Sequence, residues 1–299
     1  MSTFFQFVIE GLTIGSFYAL VALGYTMVYG IIRLINFAHG DLFMVGAFIG
    51  WTGLTALAAA HVPLALALMI TLVASMVVTG ALGLAIERVA YQPLLRAPRL
   101  SILITALGVS LALENGVLLL YGAGFNTYPH VLSHTGFDVH GVQVTFAQVG
   151  IIVASFALMI SLYFFVHRTF VGTAMRALAI DQDAARLMGI DVERLIQLTF
   201  FLGSALAAVA GVMEGIYYTQ INFFMGFVLG LRAFTAAVLG GIGNIPGAMA
   251  GGILIGLLEA FGAGYVSSRW TDVFVFGVLI GVLVIKPTGL FGERVVERM

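Results

Sequence analysis

Long apolar runs separated by short polar segments make up most of this chain. A helix needs about 20 mostly apolar residues to cross a bilayer. Runs of this kind lie near residues 6–31, 41–60, 63–86, 100–121, 145–166, 197–218, 227–242, 247–263 and 270–286. The last three include two short, glycine-rich runs, 227–242 and 247–263, a pattern typical of half-helices or re-entrant segments buried in protein. The chain is therefore predicted to be an all-α polytopic membrane protein with about eight or nine transmembrane or half-membrane helices.

Composition indicates the same class. Hydrophobic residues make up 61% of the 299 residues and charged residues only 9%, against about 25% charged residues in soluble domains. The net charge of −1 provides no basic surface for a nucleic-acid partner. The absence of cysteine excludes disulfides and thiolate chemistry. We expect residues 1–299 to form a single transmembrane domain surrounded by lipid.

Basic residues are concentrated in alternate loops, which predicts an orientation because cytoplasmic loops carry excess Arg and Lys. The expected cytoplasmic set is Arg33, Arg88, Arg96, Arg99, Arg168, Arg176, Arg186, Arg194, Lys286, Arg294 and Arg298. The amino terminus is then outside and the carboxyl terminus inside. On this topology residues 122–144 form an outer loop with room for a short hairpin, and residues 167–196 form a cytoplasmic loop.

The cytoplasmic loop contains DQDAARLMGIDVERL, which predicts a short exposed helix. A carboxylate at Asp181 or Asp183 can accept hydrogen bonds from free N–H groups of the first turn. Gly189 can end the helix in the left-handed conformation. Such a helix is suited to a groove in another protein, although a solvated connector has the same pattern. The residues assigned to docking are Asp181, Asp183, Ala184, Ala185, Arg186 and Gly189.

The order Asp183-Ala184-Ala185-x-x-x-Gly189 resembles the Glu-Ala-Ala-x-x-x-Gly loop through which ABC importer permeases dock their ATPase subunits. GLTIGSFYALVALGYTMVYGIIRLINFAHGDLFMVGAF, GTAMRALAIDQDAARLMGI and AAVLGGIGNIPGAMAGGILIGLLEAF are together similar to permeases of branched-chain amino-acid ABC importers. The first of that family's two permease types resembles the chain better than the second.

The resemblance implies a permease subunit in a bacterial or archaeal cytoplasmic membrane. It implies four kinds of partner: a second, homologous permease, two cytoplasmic ATPase subunits, an extracytoplasmic substrate-binding protein and the bilayer. The chain lacks G-x-x-x-x-G-K-[ST], H-E-x-x-H and G-x-S-x-G. We therefore expect no enzyme activity and no cofactor in this chain, with ATP and magnesium on the partner ATPases. Relatives carry amides or urea, so those substrates remain an alternative.

Two polar interruptions predict helix breaks along the translocation path. The first contains Asn36, His39 and Asp41, which we expect to cap the second helix, with Arg33 neutralising Asp41. An ordinary turn is the alternative. The second interruption resembles the first in its plan of asparagine, glycine and small residues, so the chain is predicted to contain two related halves. Its residues are Gly240, Gly241, Gly243, Asn244 and Pro246.

Five charged residues fall within apolar runs: Glu10, Glu114, Glu214, Arg232 and Glu259. An isolated charge near the bilayer centre costs about 2.5–3.5 kcal/mol, so Arg232 is expected to pair with Glu214 or Glu259. The same carboxylates suggest two functions. They form an acidic lining for a substrate ammonium group, or they are the proton sites of a self-sufficient secondary carrier based on Glu114 or Glu214.

The outer loop holds His130, His134, Asp138 and His140, residues that can bind a metal. Their spacing differs from that of a compact zinc motif, so we predict no metal site. A docking surface for the binding protein fits this loop better.

Overall fold

The computed structural model describes residues 2–94, 97–129, 136–139 and 141–292, except the side chains of Arg99 and Val139. Its helices are α1 (Ser2–Ile32), α2 (His39–Ala59), α3 (Leu64–Ile86), α4 (Arg99–Tyr121), α5 (Phe146–Arg168), α6 (Phe170–Ile180), α7 (Gln182–Leu187), α8 (Val192–Tyr218), α9 (Met225–Gly240), α10 (Ile245–Tyr265) and α11 (Thr271–Ile285). Its strands are β1 (Asn126–Thr127), β2 (Gly136–Val139), β3 (Val142–Thr145) and β4 (Gln220–Ile221). Arg96, His130, His134, His140, Arg294 and Arg298 lie outside the described residues.

Within these ranges, 8 helical segments are long and apolar enough to cross a membrane. They correspond to α1 to α5, α8, α10 and α11, with short flanking turns on α3 and α11. The predicted all-α polytopic fold is confirmed. The two glycine-rich runs differ from each other, because α10 has 21 residues and is a full-length span, whereas α9 has 16 residues.

The central helix of the bundle is α1, whose residues 19–23 are fully buried. Gly11 and Gly15 lie against the backbone of α10, while Gly252 and Gly256 of α10 lie against the backbone of α1. Small residues permit this close approach of two membrane helices. Gly11/Gly15 and Gly252/Gly256, each pair four residues apart, therefore form the contact between α1 and α10.

Two helices, α2 and α9, begin inside the bundle rather than at its surface. The imidazole of His39 lies against Gly24, about 12 Å of helix before the end of α1 at Ile32. Gly40 lies against Gly226 in the first turn of α9. Since α9 is about 24 Å long, it runs from the bundle interior to one end only. The predicted half-helix is thus α9.

The two loops lie at opposite ends of the bundle. Strands β2 and β3 form the predicted hairpin, with Gly136 opposite Thr145. Thr145 then starts α5 through a capping box with Gln148, and α5 is about 34 Å long. At its far end α6 and α7 follow, and Gln182 Nε2 donates to the carbonyl of Ile31 at 2.8 Å. We call the two ends the hairpin end and the α7 end.

Candidate functional site

A network of three charged side chains and the Tyr18 hydroxyl joins α1, α9, α10 and α11. Arg232 Nη1 donates to Glu259 Oε1 at 2.6 Å and to the Tyr18 hydroxyl at 3.0 Å. Its Nε and Nη2 donate to Asp272 Oδ1 at 3.2 and 2.8 Å. The Tyr18 hydroxyl in turn donates to Glu259 Oε2 at 2.5 Å. The guanidinium is therefore held from two sides by carboxylates in fixed geometry.

The predicted ion pair of Arg232 exists, and its partner is Glu259 rather than Glu214. The two side chains are 20% and 12% exposed, so the pair is largely removed from solvent. Asp272 was missed because it lies in the first turn of α11. An acidic residue at this position is ordinarily explained by its favourable interaction with the helix dipole. Tyr18 stood out in the sequence only as a possible aromatic lining residue, and its hydrogen bonds in this network were missed because aromatic residues are common throughout the apolar runs.

Glu214 stands beside this network without joining it. Its Oε2 is buried, and it has no hydrogen-bond partner among the described residues. With Arg232, Glu259 and Asp272, it gives the group one positive and three negative formal charges. An unpaired carboxylate inside a membrane protein is expensive and usually functional. The site is therefore electronegative on balance.

Glu214 and Arg232 line a cavity of about 410 Å³ at the midpoint of α1. This volume lies within the range of about 300–1,000 Å³ typical of small-molecule sites. The rest of its wall is largely apolar, with Phe125 and Gln220 marking its hairpin-end rim. The apolar wall includes Ile14, Phe17, Met225, Val228 and Leu229.

A second cavity, also about 410 Å³, continues from the first and shares Arg232 with it. Glu10 and Glu259 are part of its lining. Glu10 Oε1 accepts a hydrogen bond from Gln6 Nε2 at 3.3 Å, one turn away on α1. Four of the five predicted intramembrane charges are thus gathered around two adjoining cavities.

Along α1, an aromatic cluster lies between the first cavity and the α7 end. Tyr25 and His39 have ring centroids 4.8 Å apart, and Tyr25 and Phe234 are 6.0 Å apart. Beyond them, a cavity of about 70 Å³ lined by Thr26 and Ile31 lies toward the α7 end. The two cavities on the hairpin side are thus larger than the one toward the α7 end.

The prediction that Asn36, His39 and Asp41 cap α2 is wrong in its mechanism. The N-cap is Ala38, and no side chain caps this helix in the described structure. Asn36 Oδ1 instead accepts from the Ala38 N–H at 3.1 Å and from the Tyr91 hydroxyl at 2.6 Å. His39 Nε2 and Asp41 Oδ1 are buried and have no hydrogen-bond partner among the described residues.

The expected neutralisation of Asp41 by Arg33 is also wrong. Arg33 is exposed, whereas Asp41 is 1% exposed. Asp41 lies instead beside Gly226, where a Cβ would be 3.0 Å from Oδ1. Because helix amino termini favour anions, the first turn of α9 takes the place of Arg33 as the positive neighbour.

Tyr91 was missed because it lies in an irregular segment. A π-helical segment, Glu87–Tyr91, follows α3, and Tyr91 is 2% exposed. Segments of this kind interrupt α-helices and frequently occur at functional sites. Sequence periodicity does not signal them.

The interruption at 240–246 is a tight turn at the α7 end, not a break inside the bundle. Gly241 and Gly243 have φ of 107° and 94°, which favours glycine. Asn244 Oδ1 accepts from the Gly247 N–H at 2.9 Å and so caps α10, with Pro246 in its first turn. Gly240 lies against Gly247. The helix that begins inside the bundle as α2 does is therefore α9, not α10. That the chain consists of two related halves stays a prediction.

Glu114 lies apart from the charge network. It is half-buried on α4, outside both cavities described above.

The docking loop folds as predicted. Asp181 Oδ1 caps α7 by accepting from the N–H groups of Asp183 and Ala184 at 2.9 and 3.0 Å. Gly189 ends it with a φ of 81°. Ala185 is buried, while Leu187 and Met188 are 89% and 82% exposed. Ala184 and Arg186 are exposed as well. The tip of this loop thus presents apolar side chains to its surroundings.

At the hairpin end, β1 pairs with β4, with Asn126 opposite Ile221. Tyr128 follows, fully buried, and its hydroxyl donates to the Ala47 carbonyl at 2.8 Å. Asp138 Oδ1 accepts from the Gly141 N–H at 2.7 Å. The loop histidines lie outside the described residues, so the metal and docking predictions for this loop are untested.

Comparison with known proteins places these features in a family. The model described as "Branched-chain amino acid transport system / permease component" matches residues 7–283. The high-affinity branched-chain amino acid transport system permease protein BraD of Pseudomonas aeruginosa is 45% identical over 99% of this chain and 98% of its own length. The corresponding protein LivH of Escherichia coli K12 is 42% identical over the same shares. A probable LivH of Methanocaldococcus jannaschii is 29% identical over 96% of this chain and 92% of its own.

Proposed function

This chain belongs to the family of branched-chain amino acid transport system permease components, and from that premise we propose that it is the membrane-spanning subunit of an ATP-driven importer for leucine, isoleucine or valine. The similarity to BraD and LivH over nearly the full length of both carries this proposal. A bacterial cytoplasmic membrane suits the bacterial relatives. Amide or urea transport has no comparable support in these names.

The energy for transport comes from partner subunits. The sequence has no Walker loop, so two cytoplasmic ATPase subunits supply the ATP and magnesium sites. A second, homologous permease completes the path, and a binding protein delivers substrate from outside. The cavity of about 410 Å³ on the hairpin side, with an aromatic cluster farther along α1, fits a path that receives substrate from that side.

The loop around α7 transmits ATPase movement to the helices. Three features support this role: the Asp181 cap, the left-handed Gly189, and the exposed Leu187 and Met188. Exposed apolar side chains at a loop tip mark an interaction site. Gln182, bonded to the end of α1, provides a rigid link from this loop to the central helix.

The same assignment sets the orientation. The α7 end carries Arg168, Arg176, Arg186 and Arg194, and basic residues favour the cytoplasmic side. The α7 end therefore faces the cytoplasm and the hairpin end faces outward, with the amino terminus outside.

Co-purification tests the assembly. The tagged chain is expressed from its native locus, extracted gently, and the proteins that accompany it are identified. The measurement is repeated with residues 181–191 replaced by a glycine-serine linker. An Arg194→Gln variant provides the control, because this exposed side chain pairs with Asp191, three residues before it on the same loop.

We expect an ATPase and a second permease with the parent chain and with Arg194→Gln. The ATPase should be lost with the linker variant. A parent chain that purifies alone contradicts the importer, whereas an ATPase retained by the linker variant contradicts the role of α7.

A further inference from the structure

The central cavity is suited to one particular kind of small molecule. Its apolar wall offers Ile14, Val228 and Leu229 to an aliphatic group, while Glu214 and Arg232 give one part of it strong polarity. Small-molecule sites typically combine apolar walls with a few placed polar groups. A free aliphatic amino acid has the same division between an apolar side chain and a charged backbone.

The charge balance favours a cation at Glu214. Arg232 is already engaged by Glu259 and Asp272 at 2.6 and 2.8 Å, so its positive charge is compensated twice. Glu214 adds a further carboxylate, and its Oε2 has no partner in the described part of the chain. The Glu214 side chain lines the cavity, and an ammonium group, which can donate up to three hydrogen bonds, would pair there with its carboxylate.

The first turn of α9 borders the same cavity through Phe224 and Met225. The N–H groups of Phe224 and Met225 are bonded to Asn222, so this helix start contributes the positive end of its dipole rather than free donors. Helix starts inside transporters commonly point at anionic substrate groups. A substrate carboxylate would be better placed near the start of α9 than near Glu259, although Asp41 lies beside the same helix start.

We propose that this cavity is a waypoint for the transported amino acid, with the substrate ammonium group at Glu214 and the aliphatic side chain against Ile14, Val228 and Leu229. The inference rests on the proposed function and adds a binding site within the permease itself. The binding protein selects the substrate, and the waypoint accepts it by its ammonium group.

The absence of cysteine in the chain permits a clean test. Val228, which lines the cavity and is 42% exposed, is replaced in Val228→Cys. The rate of alkylation by N-ethylmaleimide is measured on the purified complex without binding protein. Saturating leucine should slow the reaction by about tenfold. Val153→Cys, on an exposed position of α5, is the control and should be unaffected.

Two leucine analogues separate the contributions of the charged groups. Isopentylamine keeps the ammonium group and the aliphatic chain, and it should also slow alkylation. 4-Methylpentanoate keeps the carboxylate instead, and it should leave the rate unchanged. Equal protection by both analogues, or none by leucine, overturns the waypoint.

Variants of Glu214 then test the residue directly. In the Val228→Cys background, Glu214→Gln should abolish protection by leucine, and Glu214→Asp should restore part of it. Glu114→Gln removes a carboxylate outside the cavity and should leave protection intact. Undiminished protection in Glu214→Gln overturns the assignment. Should Glu214→Gln fail to fold, the analogue comparison in the parent still decides the question.

The test is distinguishable from that of the proposed function. ATPase subunits are identified in the same preparations. Loss of leucine protection in a complex that contains ATPase overturns the waypoint alone, whereas a chain without ATPase overturns the importer.

Discussion

Gly40 at the start of α2 and Gly226 at the start of α9 lie so close that a side chain on either would meet the other's backbone. Two helix amino termini are thereby brought together inside the bundle. Asp41 lies beside this contact, where its carboxylate faces the favourable end of the α9 dipole. The glycine pair therefore sets the internal starting points of both helices.

Gly40→Ala tests this contact. The new Cβ would meet the carbonyl oxygen of Gly226 and the Cα of Gly230, both backbone atoms that cannot move independently. Overpacking of this kind destabilises by about 1–3 kcal/mol, so the thermal midpoint in detergent should fall.

The matched control is Gly108→Ala on α4, where a Cβ has no neighbour within 4 Å. Helix interiors favour alanine over glycine by about 0.5–1 kcal/mol, so this variant should be unchanged or slightly more stable. If the thermal midpoint of Gly40→Ala equals that of Gly108→Ala, the starts of α2 and α9 can move apart without loss of stability, and the close contact is not required.

Arg232→Met should destabilise the folded chain strongly. It leaves Glu259, 12% exposed, without its cation, and breaking a buried pair costs about 3–5 kcal/mol. The double variant Arg232→Met with Glu259→Met removes both charges and should regain much of the loss. Urea or thermal unfolding in mild detergent measures both.

The exposed pair Arg194–Asp191 provides the comparison, since its side chains are 85% and 51% exposed. Arg194→Met should change stability by less than about 1 kcal/mol. Similar losses of stability for Arg232→Met and Arg194→Met would show that burial of the Arg232–Glu259 pair does not increase the cost of breaking it.

Gly189→Arg should uncouple the permease from its ATPase while leaving the membrane domain folded. The residue has a φ of 81° and open space around it, so the substitution strains only the end of α7 and enlarges the docking surface. Substrate-stimulated ATP hydrolysis should fall at least about tenfold, equivalent to about 1.4 kcal/mol.

Gly189→Asn is the matched control, because asparagine adopts the left-handed conformation more readily than other non-glycine residues. It should keep most of the stimulated hydrolysis. Normal stimulation in Gly189→Arg would remove α7 from the coupling route.

The stability of the folded chain should depend on pH through Tyr128, which lies at the hairpin end. Burial raises the pKa of its phenol above the ordinary value, which is about 10. The folded chain therefore retains this proton when the unfolded chain loses it, so the contribution of Tyr128 to stability declines above about pH 10.

Tyr128→Phe lacks the hydrogen bond to Ala47 and should be about 1 kcal/mol less stable than the parent at pH 7. The gap in thermal midpoint should narrow between pH 10 and higher values, because phenylalanine cannot ionise. A constant gap across this range would contradict a buried, neutral tyrosine.

Local signals in the sequence were sufficient for the features that depend on neighbouring residues. Apolar length located the spans, and Asp181 and Gly189 marked the ends of α7. The Arg232–Glu259 pair was also predictable, because two opposite charges in apolar runs have few other partners.

Features that depend on distant segments could not be read in this way. The contact of Gly40 with Gly226 and the pairing of β1 with β4 join parts of the chain far apart in sequence. For the same reason Asp41 was predicted to be neutralised by Arg33, the cationic residue nearest to it in sequence. Tertiary packing instead placed Asp41 beside α9, inside the bundle.

Leucine uptake by proteoliposomes distinguishes an ATP-driven importer from a self-sufficient carrier. The chain is reconstituted with and without the proteins that co-purify with it, and radiolabelled leucine is followed with ATP or with an imposed pH gradient. We expect uptake only with the complete assembly and ATP hydrolysis, and we expect that uptake to be unaltered when the pH gradient is collapsed. Uptake by the chain alone, driven by a pH gradient and abolished by Glu214→Gln or Glu114→Gln, would contradict the importer and establish a secondary carrier.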